Sequence, residues 1–255
     1  MTNLIKAECY KLTRNKTFWV LIVTMAGLSL LLHLLVILDW WQLSGTVFDQ
    51  AGLSEWNALT AFHLSLFFNI VISTLAGFYL ATEFTQSGVI KNQIMSGHKR
   101  SHIFLAKYVI YSLGSVLVAI LIPFVTALIF VWLLGHGEIL NDTNNLYLAR
   151  AYSLFVLQFL SFTAIVLWIA VATEDSGKTI LFTLLLAIVM FAIEKLVTVP
   201  FVQAVYELTF FYQLSEVFQY QLTSTEVIKS VLVGMVSLLL LLGCGVFVFN
   251  RKEIK

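Results

Sequence analysis

Long apolar runs alternate with short polar stretches along the whole chain. Six of these runs have the roughly 20 apolar residues that a helix needs to cross a hydrocarbon core of about 30 Å. They cover residues 18–38, 60–81, 104–134, 148–173, 179–199 and 228–249. The pattern therefore predicts six transmembrane helices within a single domain, residues 1–255.

The composition supports the same class of protein. Of the 255 residues, 60% are hydrophobic and 11% are charged, and the mean hydropathy is +0.92. Soluble domains carry about 25% charged residues, so a soluble globular fold is excluded. The first apolar run is too long for a signal peptide and no small-residue cleavage motif follows it, so we interpret it as an uncleaved span. We predict an all-α integral membrane protein whose partners include the lipid bilayer and no nucleic acid.

The lysines and arginines indicate how the spans are oriented. With the N-terminus inside, twelve of the fifteen fall on the inner side. The inner residues are Lys6, Lys11, Arg14, Lys16, Lys91, Lys99, Arg100, Lys107, Lys178, Arg251, Lys252 and Lys255, and the outer ones are Arg150, Lys195 and Lys229. The positive-inside rule then predicts that both termini are cytoplasmic.

Two further segments are amphipathic but too polar to span. Residues 3–16 place Ile5, Cys9 and Leu12 along one helical stripe, which predicts an interfacial helix on the inner leaflet with its basic residues near anionic lipid. Residues 200–223 are rich in aromatic residues and glutamate. We predict one or two short helices there, at the outer membrane interface.

Catalytic and metal-binding patterns are weak. Residues 172–179, ATEDSGKT, loosely resemble a phosphate-binding loop, but a membrane helix rather than a buried strand precedes them. We interpret this segment as a tight turn in which Gly177 relaxes the backbone. The five histidines show no paired metal-ligand spacing, and Cys9 and Cys244 indicate no disulfide framework. We expect no metal site and no catalytic residue.

Polar residues recur in the second predicted span, among them His63, Asn69 and Ser73. Polar groups at this depth normally face protein or a water-filled path rather than lipid. Packing against neighbouring helices and a substrate path both explain them.

Residues 83–107 form a polar interruption that is longer than a simple turn requires. A short helix fits 88–96, with Ser87 as its N-cap and Gly97 ending it in a left-handed conformation. Ile90 and Ile94 lie one turn apart, and we expect them to form an apolar ridge for a partner's groove. Ser101 is the predicted N-cap of the third span.

This interruption resembles the intracellular loop of ABC-2 type transporter permeases. The resemblance rests on the frame E-x4-G-x2-K-x5-G-x2-R-x6-K, which Glu83, Gly88, Lys91, Gly97, Arg100 and Lys107 supply here. The opening LIKAECYKLTRNKTFW is similar to the connecting helix of that family. Six spans with both termini inside, and an amphipathic segment before the last span, also match the family's layout.

The resemblance implies a transport subunit with no ATPase site of its own. A separate ATP-binding subunit, in two copies, would carry ATP and magnesium, and a second copy of this permease or a related one would complete the pore. The ATPase would dock on a coupling helix at about 87–97. The residues implied in coupling are Glu83, Gly88, Val89, Ile90, Lys91, Ile94, Met95, Gly97 and Arg100.

The same resemblance implies a substrate path near spans two and five. On this sequence the path residues would be His63, Asn69, Ser73 and Thr183. Small members of the family resemble exporters of antibiotics or antimicrobial peptides, including immunity proteins against bacteriocins. That implies a multi-pass protein of a bacterial, Gram-positive plasma membrane and a hydrophobic or amphipathic cargo.

Two other functions stay open on the residues alone. An ion-coupled secondary transporter would show acids at the membrane midplane or interrupted helices at its binding site, and neither stands out. A membrane-embedded enzyme would need a nucleophile with a nearby base, and no such pair is evident.

Overall fold

A computed structural model of the protein describes residues 1–37, 62, 72–85, 89–196 and 199–252. These residues are almost entirely helical, and no strand occurs among them. Most of the second predicted span lies outside this part of the chain.

We number the helices in chain order. The first four are α1 Thr2–Arg14, α2 Lys16–Ile37, α3 at 72–85 and α4 Val89–Met95. The next two are α5 Arg100–Leu133 and α6 Asp142–Thr173. The last four are α7 Ser176–Leu196, α8 Pro200–Tyr206, α9 Phe210–Glu216 and α10 Ser224–Arg251.

Five of the described helices are long and apolar enough to cross a membrane: α2, α5, α6, α7 and α10. The last four begin three to six residues before the predicted apolar runs at 104, 148, 179 and 228. Polar caps explain part of the extension. The Asn141 side chain accepts from the Asn144 amide, and Thr223 forms a capping box with Glu226 at the start of α10. Capped polar turns continue a helix beyond its apolar part.

Helix α6 lies at the centre of the bundle. In the most apolar stretch of α6, 67% of the residues are buried, whereas in the corresponding stretches of α7 and α10 only 11% are buried. Small residues on α10 allow the two helices to approach closely. A Cβ added to Gly234 would lie 2.7 Å from the Leu157 side chain of α6, closer than carbon atoms can pack. Gln158 donates to the Ser230 carbonyl at 2.8 Å, which ties the same two helices together.

Two helices contain π-helical turns, at Ala76–Ala81 in α3 and at Leu117–Leu121 in α5. Such turns insert an extra residue and are frequent at functional sites. The turn in α3 brings Gly77 against α7. A Cβ at Gly77 would lie 2.8 Å from the Ile180 side chain and 2.9 Å from the Ser176 carbonyl oxygen.

The turn between α6 and α7 differs from its prediction. Glu174, and not Gly177, adopts the positive φ of +52° that ends α6. Gly177 lies within the first turn of α7, where an ordinary helical backbone suffices. The reason is that the left-handed residue must directly follow the last helical residue, which is Thr173.

The segment before α10 forms two short helices, α8 and α9, as one of the predicted alternatives had it. The residues that follow α9 are fastened to α6. Tyr147 donates its hydroxyl to the Phe218 carbonyl at 2.7 Å, and Arg150 donates to the Gln219 carbonyl at 2.6 Å. These bonds set the start of α10 against the start of α6.

Candidate functional site: a buried ionic network at the N-terminal end of the bundle

One end of the bundle holds α1, α4, the start of α5 and the end of α10; we call it the N-terminal end. Arg100, at the start of α5, donates to the carbonyls of Asn250 at 3.0 Å and Lys252 at 2.5 Å. Lys252 forms an ion pair with Glu174 at 2.9 Å. The end of α10 and the turn after α6 are therefore joined to the start of α5.

A buried carboxylate, Glu8 of α1, is the centre of this end. Its side chain is only 1% exposed. One carboxylate oxygen accepts from Lys11 at 2.5 Å, Gln93 at 3.0 Å and Lys107 at 3.1 Å. The other accepts from the Tyr79 hydroxyl at 3.0 Å. Four segments, α1, α3, α4 and α5, therefore meet at one side chain.

A second carboxylate completes the network. Glu83 of α3 pairs with Lys11 at 2.7 Å and with Lys107 of α5. Lys107 is 2% exposed, so a positive charge is held inside the protein. Two carboxylates and two ammonium groups balance each other. We call Glu8, Lys11, Glu83 and Lys107, with Tyr79 and Gln93, the ionic network.

The network holds Glu8 in its charged form. Burial by itself raises the pKa of Glu8, but Lys107 and Lys11 outweigh burial and hold the pKa at about 2. Burial likewise favours the neutral form of Lys11, and the attraction of Glu83 and Glu8 reverses this and raises its pKa. A buried ion pair is tolerated where further hydrogen bonds satisfy its charges, as Gln93 and Tyr79 do here.

Helix α1 brings Glu8 to this position because its buried stripe is Leu4, Glu8 and Leu12. Of the predicted stripe of Ile5, Cys9 and Leu12, only Leu12 belongs to this buried face; Ile5 is half-buried and Cys9 is exposed, so the contact of the stripe with lipid stays a prediction. Leu12 packs against Gly114 of α5, where a Cβ would lie 2.8 Å from its methyl group. The packing of Leu12 on α5 and the partners of Glu8 fix which face of α1 is buried in the protein.

Helix α4 is terminated by the residue that was predicted, but the helix that follows it has a different N-cap from the one predicted. Gly97 has φ +83°, and the His98 amide donates to the Gln93 carbonyl at 3.3 Å, which closes the helix as predicted. Ser101, however, lies within α5, and Lys99 occupies the capping position. Ser87 and Gly88 lie outside the described residues.

The expectation that Ile90 and Ile94 offer a free apolar ridge is wrong for Ile90. Its side chain is 2% exposed, and Ile94 is half-buried against the same core. The reason is that α4 needs an apolar face to pack on its own chain. Lys91, Asn92 and Met95 are the exposed residues of α4, Met95 at 69%, and Val89 is half-buried.

The predicted path residues are only partly described. His63 and Asn69 lie outside the described residues, and for Ser73 only the backbone is described. Thr183 of α7 is 1% exposed, and its hydroxyl donates to the Thr179 carbonyl at 2.8 Å. It therefore faces protein within this chain, and its part in a path stays a prediction.

Only one member of the network, Glu83, was predicted as a site residue. The other five were not: Lys107 was named only in the loop frame and Lys11 only as an inner-side charge, while Glu8, Tyr79 and Gln93 were not singled out. A signal for Glu8 was present, because it is the one acid of α1 and lies four residues from Leu4 and from Leu12. Tyr79 and Gln93 show no comparable signal, since their spacing in sequence says nothing about a common partner.

A comparison with known protein families covers most of the chain. A family model described as "ABC-2 family transporter protein" matches residues 4–192. No curated protein and no solved structure matches. The matched residues include most of α1, the ionic network and helices α4 to α6, in a multi-pass all-α membrane protein. The chain therefore belongs to the ABC-2 family of transporter membrane proteins.

Proposed function

We propose that this protein is the permease subunit of an exporter for an antibiotic, an antimicrobial peptide or another amphipathic compound. A separate ATP-binding subunit, in two copies, drives it, and ATP and magnesium are bound there. A second permease, either a copy or a related chain, completes the transport pore in a bacterial plasma membrane. Six spans with both termini in the cytoplasm would put the N-terminal end of the bundle on the ATPase side.

The ionic network is the observation that supports the ATP-driven part of this proposal. Gln93 lies on α4, the helix that the family resemblance assigns to ATPase docking, and it contacts Glu8 directly. Glu8 contacts Lys107 of α5, and Lys107 contacts Glu83 of α3. A push on α4 is thereby passed to two predicted spans and to α1 through contiguous buried contacts. Such contacts suit rigid-body transmission.

The docking surface that fits this arrangement is the exposed face of α4. Lys91, Asn92 and Met95 stand on it, while Ile90 anchors the helix to its own bundle. A single exposed methionine within a polar rim is typical of an adaptable contact.

Co-purification with the partner ATPase tests the docking surface. We expect Met95→Asp combined with Asn92→Asp to abolish co-purification, because the change adds two unpaired carboxylates at the contact. Lys178→Asp, at an exposed position in the first turn of α7, is the matched control. Retention of the ATPase by the double variant at the level of the control would exclude this docking surface.

Transport measured with the complex tests the energy source. Efflux of the cargo from vesicles should require ATP and should stop when the partner ATPase carries an inactive catalytic site. Efflux that continues with the inactive ATPase, and follows an ion gradient instead, would identify a secondary transporter.

A further inference from the structure

A cleft lies between α9 and the first turns of α10, at the opposite end of α10 from the ionic network. Its empty volume, with the open mouth included, is about 390 Å³, which is within the range of sites for small molecules. Val217 and Leu222 give the cleft an apolar wall, and the remaining lining is polar or charged. The cleft therefore offers both an apolar contact and charged groups to one small ligand.

The carboxylate of Glu216 is the unbalanced charge of this cleft. It is half-buried and accepts a hydrogen bond from the Gln219 side chain, and no lysine or arginine among the described residues forms an ion pair with it. Burial raises the pKa of Glu216 and three other glutamates raise it further, while a hydrogen bond from Tyr212 acts in the opposite direction. These glutamates are Glu194, Glu207 and Glu226. A cation bound here would stabilise the charged carboxylate.

The lysine of the cleft is directed to a different acid. Lys229 lies three residues after Glu226 on α10, and its charge attracts that carboxylate. Glu226 also completes the capping box with Thr223. The two charges of the α10 wall thus offset each other, and the cleft keeps the negative charge of Glu216.

Gln213 adds a buried polar group that the protein leaves unused. The residue is 5% exposed and lines the cleft. Its side-chain amide has no hydrogen-bond partner within the part of the chain that the structure describes. Ser230, on the α10 wall, is by contrast already bonded to Gln158 of α6. Buried polar side chains normally have a partner, so the free amide of Gln213 points to a ligand in the cleft.

We propose that this cleft binds an ammonium or guanidinium group that is attached to a short apolar chain. Glu216 pairs with the charge, and the Gln213 amide oxygen accepts one of its N–H groups. The aromatic ring of Tyr212 attracts the same cation, while Val217 and Leu222 contact the apolar chain. The site belongs to this chain alone, so its test is independent of the proposed ATPase and of transport.

Two compounds of the same shape, n-butylguanidinium and the neutral n-butylurea, test the charge requirement. The full-length protein is reconstituted in phosphatidylcholine nanodiscs, and saturation-transfer NMR measures the affinity for each compound. We expect the cation to bind about tenfold more tightly, because only the cation forms a charged hydrogen bond with Glu216. Equal affinities for the two compounds would overturn the proposal.

Variants assign the binding to this cleft. Glu216→Gln should weaken cation binding by about tenfold or more and Gln213→Leu by about fivefold. The melting temperature of Gln213→Leu should not fall, because the amide that it removes has no partner to lose. The matched control is Glu138→Gln, at an exposed acid between α5 and α6. Cation binding by Glu216→Gln at the level of this control would place the compound elsewhere and overturn the proposal.

The lipid composition of the nanodisc separates two sources of the cation. If a lipid headgroup fills the cleft, phosphatidylethanolamine in the nanodisc should compete and lower the apparent affinity for n-butylguanidinium. If a free organic cation fills it, the affinity should be the same with and without this lipid. Each result, together with weaker binding by Glu216→Gln, supports the site and identifies the source.

Discussion

A single side chain, Glu8 of α1, is bonded to residues of α1, α3, α4 and α5. Its carboxylate accepts four hydrogen bonds from four segments. A buried charge with balanced partners contributes little net stability, whereas removing one partner leaves the other charge uncompensated. At the residue scale, the stability of the folded protein therefore depends on the charge balance of the network and not on any one of its residues.

Glu8→Gln should lower the free energy of unfolding by about 3 kcal/mol, because Lys11 and Lys107 then share a single carboxylate. Combining it with Lys107→Met leaves the balanced Lys11–Glu83 pair, and most of the loss should be recovered. Thermal unfolding in detergent measures both variants, and Lys6→Gln on the exposed face of α1 is the control. Simple addition of the two effects would contradict this coupling.

The pH dependence of the network follows from the direction of its pKa shifts. The pKa of Glu8 is lowered to about 2, so its contribution is fully present above its ordinary pKa near 4.5 and is lost only as the pH falls towards 2. The pKa of Lys11 is raised, so its contribution is fully present below its ordinary pKa of 10.5.

We therefore expect the destabilisation by Glu8→Gln to be the same at every pH between about 5 and 9. Melting temperatures of the variant and the unaltered protein across this range measure it. A difference that shrinks between pH 7 and pH 5 would show that Glu8 is protonated there and that the network is not ionised as described.

At the scale of the elements, close crossings decide where a helix can carry a side chain. Gly77 in the π-helical turn of α3 meets Ile180 and the Ser176 carbonyl of α7 with no space for a methyl group. Gly27 of α2 has no atom within 4 Å of an added Cβ. The same residue type is thus required at one position and replaceable at the other.

Gly77→Ala should destabilise the protein by about 1–3 kcal/mol, because the backbone carbonyl of Ser176 cannot move aside as a flexible side chain would. Gly27→Ala should instead stabilise it by about 0.5–1 kcal/mol, since alanine loses less entropy in a helix. Unfolding measurements on the matched pair test both signs. Equal effects would show that α3 and α7 are not in close contact.

At the scale of the whole molecule, the network couples the docking helix to the spans. Glu83→Gln with Lys11→Met removes the ionic contacts of α3 and leaves the Tyr79–Glu8 hydrogen bond and the Glu8–Lys107 pair in place. We expect ATPase co-purification to be unchanged and the cargo exported per ATP to fall by about fivefold, the effect of a coupling energy near 1 kcal/mol. Unchanged export per ATP would place the transmission elsewhere.

Local patterns in the sequence were sufficient for much of this architecture. Length and apolarity indicated the membrane-spanning helices, because hydrocarbon thickness sets how many apolar residues a span needs. Gly97 indicated the end of α4, because a left-handed residue there is a local backbone requirement. The loop frame from Glu83 to Lys107 indicated the family, which the family model confirms.

The tertiary structure alone decided which side of α4 is free and why a carboxylate lies in the buried stripe of α1. Apolar periodicity locates an amphipathic face but does not say whether that face packs on its own chain or on a partner, so Ile90 was assigned to the wrong surface. Glu8 can be buried only because Lys107, 99 residues away, meets it. The sequence by itself thus determined the membrane class, the apolar spans that the structure describes and the end of α4, which depend on near neighbours. The network depends on distant charges that only folding brings together.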